Sequence, residues 1–193
     1  MISIAVCDDN EITAQEISEK VKQCCPIEAE VSVFYHIKDI LFSIHNENKL
    51  FDIIFMDIEF DVSSGIEASK QINAWHPDCQ IIYITNYTNY FTSVYETSHI
   101  YYILKKDIDA YLSTALKKAI QQIAKINQYY LIIQSKQQHI RIAQSKILYL
   151  ERIMRTTNIH TTDTIYQTPE KLKEYIKTIE TVFGKSFEEN EKN

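Results

Sequence analysis

Residues Phe51 to Phe60 read FDIIFMDIEF. Asp52 opens the stretch, Ile53, Ile54, Phe55 and Met56 follow without a polar break, and Asp57 stands at the end of the run. An apolar run without alternation suits a strand covered on both faces, as in a parallel sheet flanked by helices. A carboxylate where such a strand emerges lies at the carboxyl edge of the sheet, where open α/β sheets gather their ligands. Taken alone, Asp57 is more simply read as a solvated acid at a strand end, so the rest of the chain decides.

Ile2 to Cys7 predicts a first strand, followed at once by Asp8, Asp9 and Asn10. Helical spacing from Glu11 to about Cys25 places Ile17, Val21 and Cys24 on one face, with Pro26 as a stop. Val31, Val33 and Tyr35 alternate as a second strand, and Ile37, Ile40, Leu41 and Ile44 recur at the spacing of a helix. The quoted stretch is therefore strand three. A loop from Asp61 to Gly65 leads to a helix packing through Ile66, Ala68, Ile72 and Trp75, which Pro77 ends. Gln80 to Thr85 reads as strand four, Asn86 to Thr97 as a short helix, and Ile100 to Leu104 as strand five, ending at Lys105 and Lys106. Leu112, Ala115, Leu116, Ala119, Ile120 and Ile123 then form a long amphipathic face. This alternation predicts an α/β fold: a doubly wound five-stranded parallel sheet with right-handed crossovers, complete by about residue 125.

With 2 glycines and 3 prolines in 193 residues, neither a disordered linker nor a Gly-rich phosphate loop is expected. Cys7, Cys24, Cys25 and Cys79 lack C-x-x-C spacing, which argues against zinc and thioredoxin-like chemistry. No apolar stretch approaches the roughly 18 residues that span a bilayer, and the N-terminus lacks the basic region of a signal peptide. No membrane insertion and a reduced, cytoplasmic setting are expected. Residues 1–130 carry a net charge of −8 and residues 131–193 a net charge of +2, which suggests two functional units and makes the first a poor match for nucleic acid.

Asp8 and Asp9 follow strand one, Asp57 strand three, Thr85 strand four and Lys105 strand five. With strand order 2-1-3-4-5 these ends converge at the switch point between strands one and three. Carboxylates gathered there repel one another, so a cation is needed to keep them ionised near neutral pH. Oxygen ligands with waters favour Mg²⁺. Such a set suits receipt of a phosphoryl group: a carboxylate attacks phosphorus to give an aspartyl phosphate, while Mg²⁺ and lysine neutralise the equatorial oxygens. Asp57 is the expected nucleophile. Asp8 and Asp9 are expected to hold the metal with Asp57 and the backbone carbonyl of Glu59. Singly, each residue has a plainer reading as a cap, a local hydrogen bonder or a solvated charge. Their order at successive strand ends favours the site.

Residues 1–125 resemble the receiver domain of two-component response regulators, through CDDN at 7–10, MDIE at 56–59, ITN at 84–86 and ILKK at 103–106. The resemblance implies phosphorylation of Asp57 by a sensor histidine kinase, with self-catalysed phosphoryl transfer as the protein's sole chemistry, and a homodimer on phosphorylation. It also implies a switch in which Thr85 turns toward the phosphoryl group while Tyr102 on strand five turns inward. A new charge of about −2 then biases a two-state element. Two departures stand out. Lys106 occupies the position of a usual proline, so a trans peptide and a shifted loop are expected, and Asp61-Val62 replaces the usual Pro-Gly. Metal affinity and phosphoryl lifetime are the properties these changes touch.

From Tyr129 the pattern turns to short β runs at Leu131–Gln134, Ile140–Ala143, Ile147–Glu151, Asn158–His160 and Thr164–Tyr166. Thr168-Pro169-Glu170 predicts a helix start that buries Leu172, Tyr175, Ile176, Ile179 and Phe183, with Gly184 as its C-cap. Residues 126–193 are thus expected to form a small β-rich domain with one helix and a frayed acidic tail. Through ILYLE at 147–151, NIHTTD at 158–163 and LKEYI at 172–176 this part resembles the first half of a LytTR-type DNA-binding domain. The resemblance implies promoter DNA as a partner, with Arg152, Arg155 and Thr157 as candidate contacts; solvated loop residues are the equal alternative. That family continues for several strands beyond this helix, so a truncated output domain with an exposed sheet edge is expected.

The leading reading is a phosphorylation-controlled regulator of transcription. The second is a receiver-based signalling or interaction protein whose shortened output half no longer binds DNA. A Mg²⁺-dependent phosphatase similar to haloacid dehalogenases is disfavoured, because their nucleophile follows the first strand and has aspartate two residues later, where this chain has Glu59.

Overall fold

The computed structural model describes residues 1–60, 64–87, 90–135, 138–173 and 175. The chain divides into two compact units, Met1–Ile123 and Ala124–Asn193.

In the first unit, β1 (Ile2–Cys7), α1 (Glu11–Cys24), β2 (Ala29–Phe34), α2 (Ile37–His45), β3 (Ile53–Met56), α3 (Gly65–Trp75), β4 (Gln80–Thr85), α4 (Phe91–Val94), β5 (Tyr101–Leu104) and α5 (Ile108–Asn127) follow in order. The five strands form one parallel sheet of order β2-β1-β3-β4-β5, as the sequence predicts. All four residues of β3 are buried. Ile53 and Phe55 pack with α1 and α5 on one face, while Ile54 and Met56 pack with α2 and α3 on the other. That two-sided burial explains why the strand shows no alternation. Cys7 pairs with Met56 and Met56 with Tyr83, so the ends of β1, β3 and β4 come into register. Asn10 starts α1 as an N-cap, its side chain accepting from the Thr13 N–H at 3.0 Å.

Several details differ from the sequence expectations. β2 stops at Phe34, and the Tyr35 hydroxyl instead accepts from Gln15 at 2.6 Å. Cys24 is exposed, because the buried face of α1 runs through Ala14, Ile17, Ser18 and Val21 and rotates away in the last turn. Trp75 is partly exposed and stacks on His45 with ring centroids 4.6 Å apart, so it lies at the rim of α3 and outside the core. Lys105–Asp107 form a single 3₁₀ turn leading into α5. Among the described residues every peptide bond is trans.

In the second unit, β6 (Tyr130–Ser135) and β7 (Gln138–Ala143) pair as an antiparallel ribbon. β8 (Ile147–Ile153), β9 (Thr156–Thr161) and β10 (Ile165–Thr168) form a three-stranded antiparallel sheet of order β10-β9-β8. Leu131, Ile133, Ile142, Ile159 and Tyr175 make its buried core. Thr168 does not cap a helix opening at Pro169. It ends β10, is buried, accepts from the Glu170 N–H at 3.3 Å and lies 3.1 Å from the Tyr175 hydroxyl. Leu172 and Tyr175 are helical and buried. The expected contacts of Ile176, Ile179 and Phe183, the Gly184 cap and the acidic tail lie outside the described residues. No helix among the described residues is long and apolar enough to cross a membrane.

Candidate functional site

The carboxyl ends of β1, β3 and β5 bring Asp8, Asp57 and Lys105 together. The Asp57 N–H extends the β1–β3 ladder by donating to the Cys7 carbonyl at 2.9 Å. Its side chain is buried; Oδ1 accepts from the Ile58 N–H at 2.6 Å and Oδ2 from the Lys105 ammonium at 2.5 Å. Asp8 is also buried: one carboxylate oxygen accepts from the Asn10 N–H at 3.0 Å, and the other lies 2.7 Å from Lys105 Nζ. Lys105 therefore bridges both carboxylates.

Burial raises the Asp57 pKa above the ordinary carboxylate range, with the Lys105 hydrogen bond and charge opposing it. Burial pulls Lys105 downward, but its hydrogen bonds to Asp57 and Asp8 outweigh it and hold the ammonium above its usual pKa. The more exposed Asp9 completes a triad: one carboxylate oxygen each from Asp8, Asp9 and Asp57 lie within 4.8 Å of one another. Hard oxygen donors at that spacing, one of them a buried carboxylate that disfavours its own charge, fit a small divalent cation such as Mg²⁺.

A polar cleft of about 580 Å³ opens over this cluster, with Asp9, Asn10, Asp57, Glu59, Tyr87 and Lys105 among its lining residues. Thr85 ends β4 but is fully buried, and its hydroxyl accepts from the Tyr87 N–H at 3.4 Å, inside its own loop. Tyr102 is half-buried on β5, and its hydroxyl donates to the Tyr87 carbonyl. Neither is among the residues lining the cleft. Lys106 is exposed. Asp61 and Val62 lie outside the described residues.

Three features were missed in the sequence. The Glu59 side chain accepts from the Tyr90 hydroxyl at 2.5 Å, and the Tyr87 ring meets that of Tyr90 edge to face beside it. The Glu59 carboxylate raises the pKa of both tyrosines, because its charge disfavours a second negative charge beside it. Tyr87 and Tyr90 had registered in the sequence only as part of an aromatic, polar stretch. The third feature is Gly65, whose N–H donates to the Ile58 carbonyl at 2.8 Å. A Cβ at Gly65 would lie 1.8 Å from the Asp57 carbonyl oxygen, so the start of α3 presses backbone to backbone on the acceptor residue. A glycine opening a helix after a strand-end aspartate was the available signal.

In the second unit the expected nucleic-acid contacts need correction. Thr157 is fully buried and donates to the Glu170 carbonyl at 2.6 Å, so it is not a surface contact. Arg152 donates to Thr157 at 2.9 Å, to the Glu170 carbonyl at 2.7 Å and to the Arg155 carbonyl at 3.3 Å, which ties its guanidinium into the fold. The Arg155 side chain is exposed.

Comparison with known proteins follows the same division. Residues 4–121 match the response regulator receiver domain. Among solved structures, the BeF3-activated DrrB receiver domain is similar at 24% identity and a TM-score of 0.55, covering 63% of this chain and 98% of its own. TrrA of Thermotoga maritima, solved with Mg²⁺ and BeF, is similar at 23% and 0.54, covering 62% and 99%. A receiver domain protein of Clostridium thermocellum is similar at 20% and 0.58, covering 65% and 99%. These likenesses show the fold. A search of the curated proteins finds no match. With more than half its length matched from β1 through most of α5, the chain belongs to the response regulator receiver domain family.

Proposed function

We propose that the chain is a response regulator of a two-component phosphorelay that accepts a phosphoryl group on Asp57 from a sensor histidine kinase. The observation that carries this reading is the Lys105 ammonium between the buried carboxylates of Asp57 and Asp8, at 2.5 and 2.7 Å. An Asp57 carboxylate oxygen attacks phosphorus, and the O–P bond forms as the donor's N–P bond breaks and its imidazole leaves. Lys105 steers and neutralises one equatorial oxygen. Asp8, Asp9, Asp57 and the Glu59 carbonyl would hold Mg²⁺, which supplies the remaining charge neutralisation when bound. The solved DrrB and TrrA receivers carry beryllofluoride, TrrA with Mg²⁺ as well, which supports this assignment. Thr85 and Tyr102 serve as the switch pair, Thr85 buried at the end of β4 and Tyr102 half-buried beside it on β5.

The domain assignment we propose is a receiver over residues 1–125 and a LytTR-like output part over 126–193, in a cytoplasmic protein that forms a homodimer on phosphorylation. Promoter DNA is the proposed output partner, with Arg155 as the side chain free to reach it. A second reading, a receiver whose output half binds protein, is favoured by the internal engagement of Arg152 and Thr157 and by exposed Leu148, Tyr149 and Met154.

Incubation with acetyl phosphate and Mg²⁺ followed by intact mass tests the acceptor. One added phosphoryl group is expected, lost in Asp57→Ala; an unmodified wild type or a modified mutant contradicts the assignment. A salt-dependent gel shift on genomic fragments separates the two output readings, and no specific retention at low salt removes direct DNA binding.

A further inference from the structure

Side chains that the acceptor chemistry does not use meet in the wall of the same cleft. Glu59 follows Asp57 by two residues, and its carboxylate accepts from the Tyr90 hydroxyl at 2.5 Å. The Tyr87 and Tyr90 rings meet edge to face with centroids 6.3 Å apart. Tyr87 is held from behind, its carbonyl accepting from the Tyr102 hydroxyl and its N–H donating to Thr85 at 3.4 Å. Tyr90 begins α4, where its carbonyl accepts from the Val94 N–H at 3.1 Å. One carboxylate thus ties the residue two beyond Asp57 to the residue that precedes α4, and Tyr87, packed edge to face on Tyr90, is bonded to both Thr85 and Tyr102.

We infer that Glu59, held by Tyr90, is a latch that stabilises the unphosphorylated chain and opens when Asp57 is phosphorylated; this rests on Asp57 being the acceptor. Glu59, Tyr87, Tyr90 and Asp57 all line one cleft. A phosphoryl group there adds a charge of about −2 and strong acceptor oxygens. It repels the Glu59 carboxylate and competes with it for the Tyr90 hydroxyl. The latch bond is therefore stronger before phosphorylation than after it. An interaction made in one state alone shifts the balance by its own differential free energy. Removing either partner must raise the phosphorylated share and loosen the start of α4. Glu59 acts here as a positioning residue.

The test uses the full chain with acetyl phosphate and Mg²⁺, reading the labelled-to-unlabelled ratio by intact mass. Tyr90→Phe keeps the ring and removes the hydroxyl, while Glu59→Gln keeps the shape and removes the charge. Each is expected to raise the ratio about threefold to tenfold, the effect of losing a partly exposed charge-assisted hydrogen bond. The double variant is expected to match the larger single effect, because both changes break one bond. Ratios unchanged or lowered in both variants, or additive effects in the double, overturn the latch. In wild type, hydrogen exchange at the Val94 amide is expected to quicken on labelling; unchanged or slower exchange overturns the latch even if a variant fails to fold. A wild type that takes no label overturns the acceptor reading and the latch with it. A labelled wild type with insensitive variants overturns the latch alone.

Discussion

Lys105 donates to the Oδ2 atom of Asp57 at 2.5 Å, and this contact keeps a charge on a carboxylate that burial would neutralise. In Lys105→Ala, Asp57 and Asp8 lose the ammonium that bridges them. Labelling by acetyl phosphate is expected to slow by about tenfold or more, the scale of losing one electrostatic partner in such a site. A mass time course checks this, and an unchanged rate would remove Lys105 from the chemistry.

The raised pKa of Asp57 gives a pH signature. A carboxyl whose pKa rises on folding contributes stability below its unfolded pKa, about 3.9, and loses it as pH rises through the folded value. At neutral pH the ionised Asp57 therefore costs stability. Asp57→Asn is expected to melt a few degrees higher than wild type at pH 7, since about 1 kcal/mol moves a chain of this size by roughly 2–4 °C. Lys105 keeps Asp8 as a partner in this variant. The gap should close as the solution is acidified toward pH ~4, and a gap that widens in acid contradicts the assignment.

Mg²⁺ should stabilise the wild type by mass action, about 1.4 kcal/mol at ten times Kd. Asp9→Asn removes a donor at the cleft without disturbing the buried pair, so its melting temperature should respond less to Mg²⁺ and match wild type with chelator. Equal responses would exclude Asp9 as a ligand.

Gly65→Ala places a methyl group 1.8 Å from the Asp57 carbonyl oxygen, a backbone atom that cannot swing aside. Chemical denaturation is expected to show a loss of roughly 2 kcal/mol or more, at the upper end of overpacking costs. Labelling should fall as well, because the displaced atom belongs to the acceptor residue. A variant as stable as wild type would show that α3 can shift freely.

In the second unit, Thr157→Val removes two hydrogen bonds of a buried hydroxyl, one from Arg152 and one to the Glu170 carbonyl, while Arg152 and Glu170 keep their bond to each other. A cost of roughly 1–3 kcal/mol is expected in denaturation. Arg155→Ala, at an exposed position, should change stability by less than about 0.5 kcal/mol while lowering any retention of DNA.

The sheet was legible because its signals are local: Ile53 to Met56 form an unbroken run, and the strand ends carry their carboxylates and lysine in sequence. Trp75 misled because helical spacing says which residues share a face, not where that face runs out of neighbours. Thr168-Pro169 looked like a helix start since those residue types serve strand ends and caps alike; the buried Tyr175 hydroxyl decided between them. The pairing of Glu59 with Tyr90 is not legible, because it depends on distances set by packing, whereas Gly65 leaves a signal only as a glycine opening a helix after a strand-end aspartate. Thr157 suggests a surface contact by its polarity, but its hydroxyl serves a buried hydrogen-bond pair instead of solvent.

The division of β3 between two cores has a consequence for parity. Ile53 and Phe55 face one core and Ile54 and Met56 the other, so Asp57, two residues beyond Phe55, takes its direction from an odd-and-even count. Inserting one residue into the strand would exchange the two cores' side chains and turn the acceptor carboxylate to the wrong side of the sheet. Inserting two would restore the count and displace Asp57 by about two strand residues, roughly 7 Å. The aim of the nucleophile is therefore fixed digitally, by the number of residues between Ile53 and Asp57, as much as by any contact it makes.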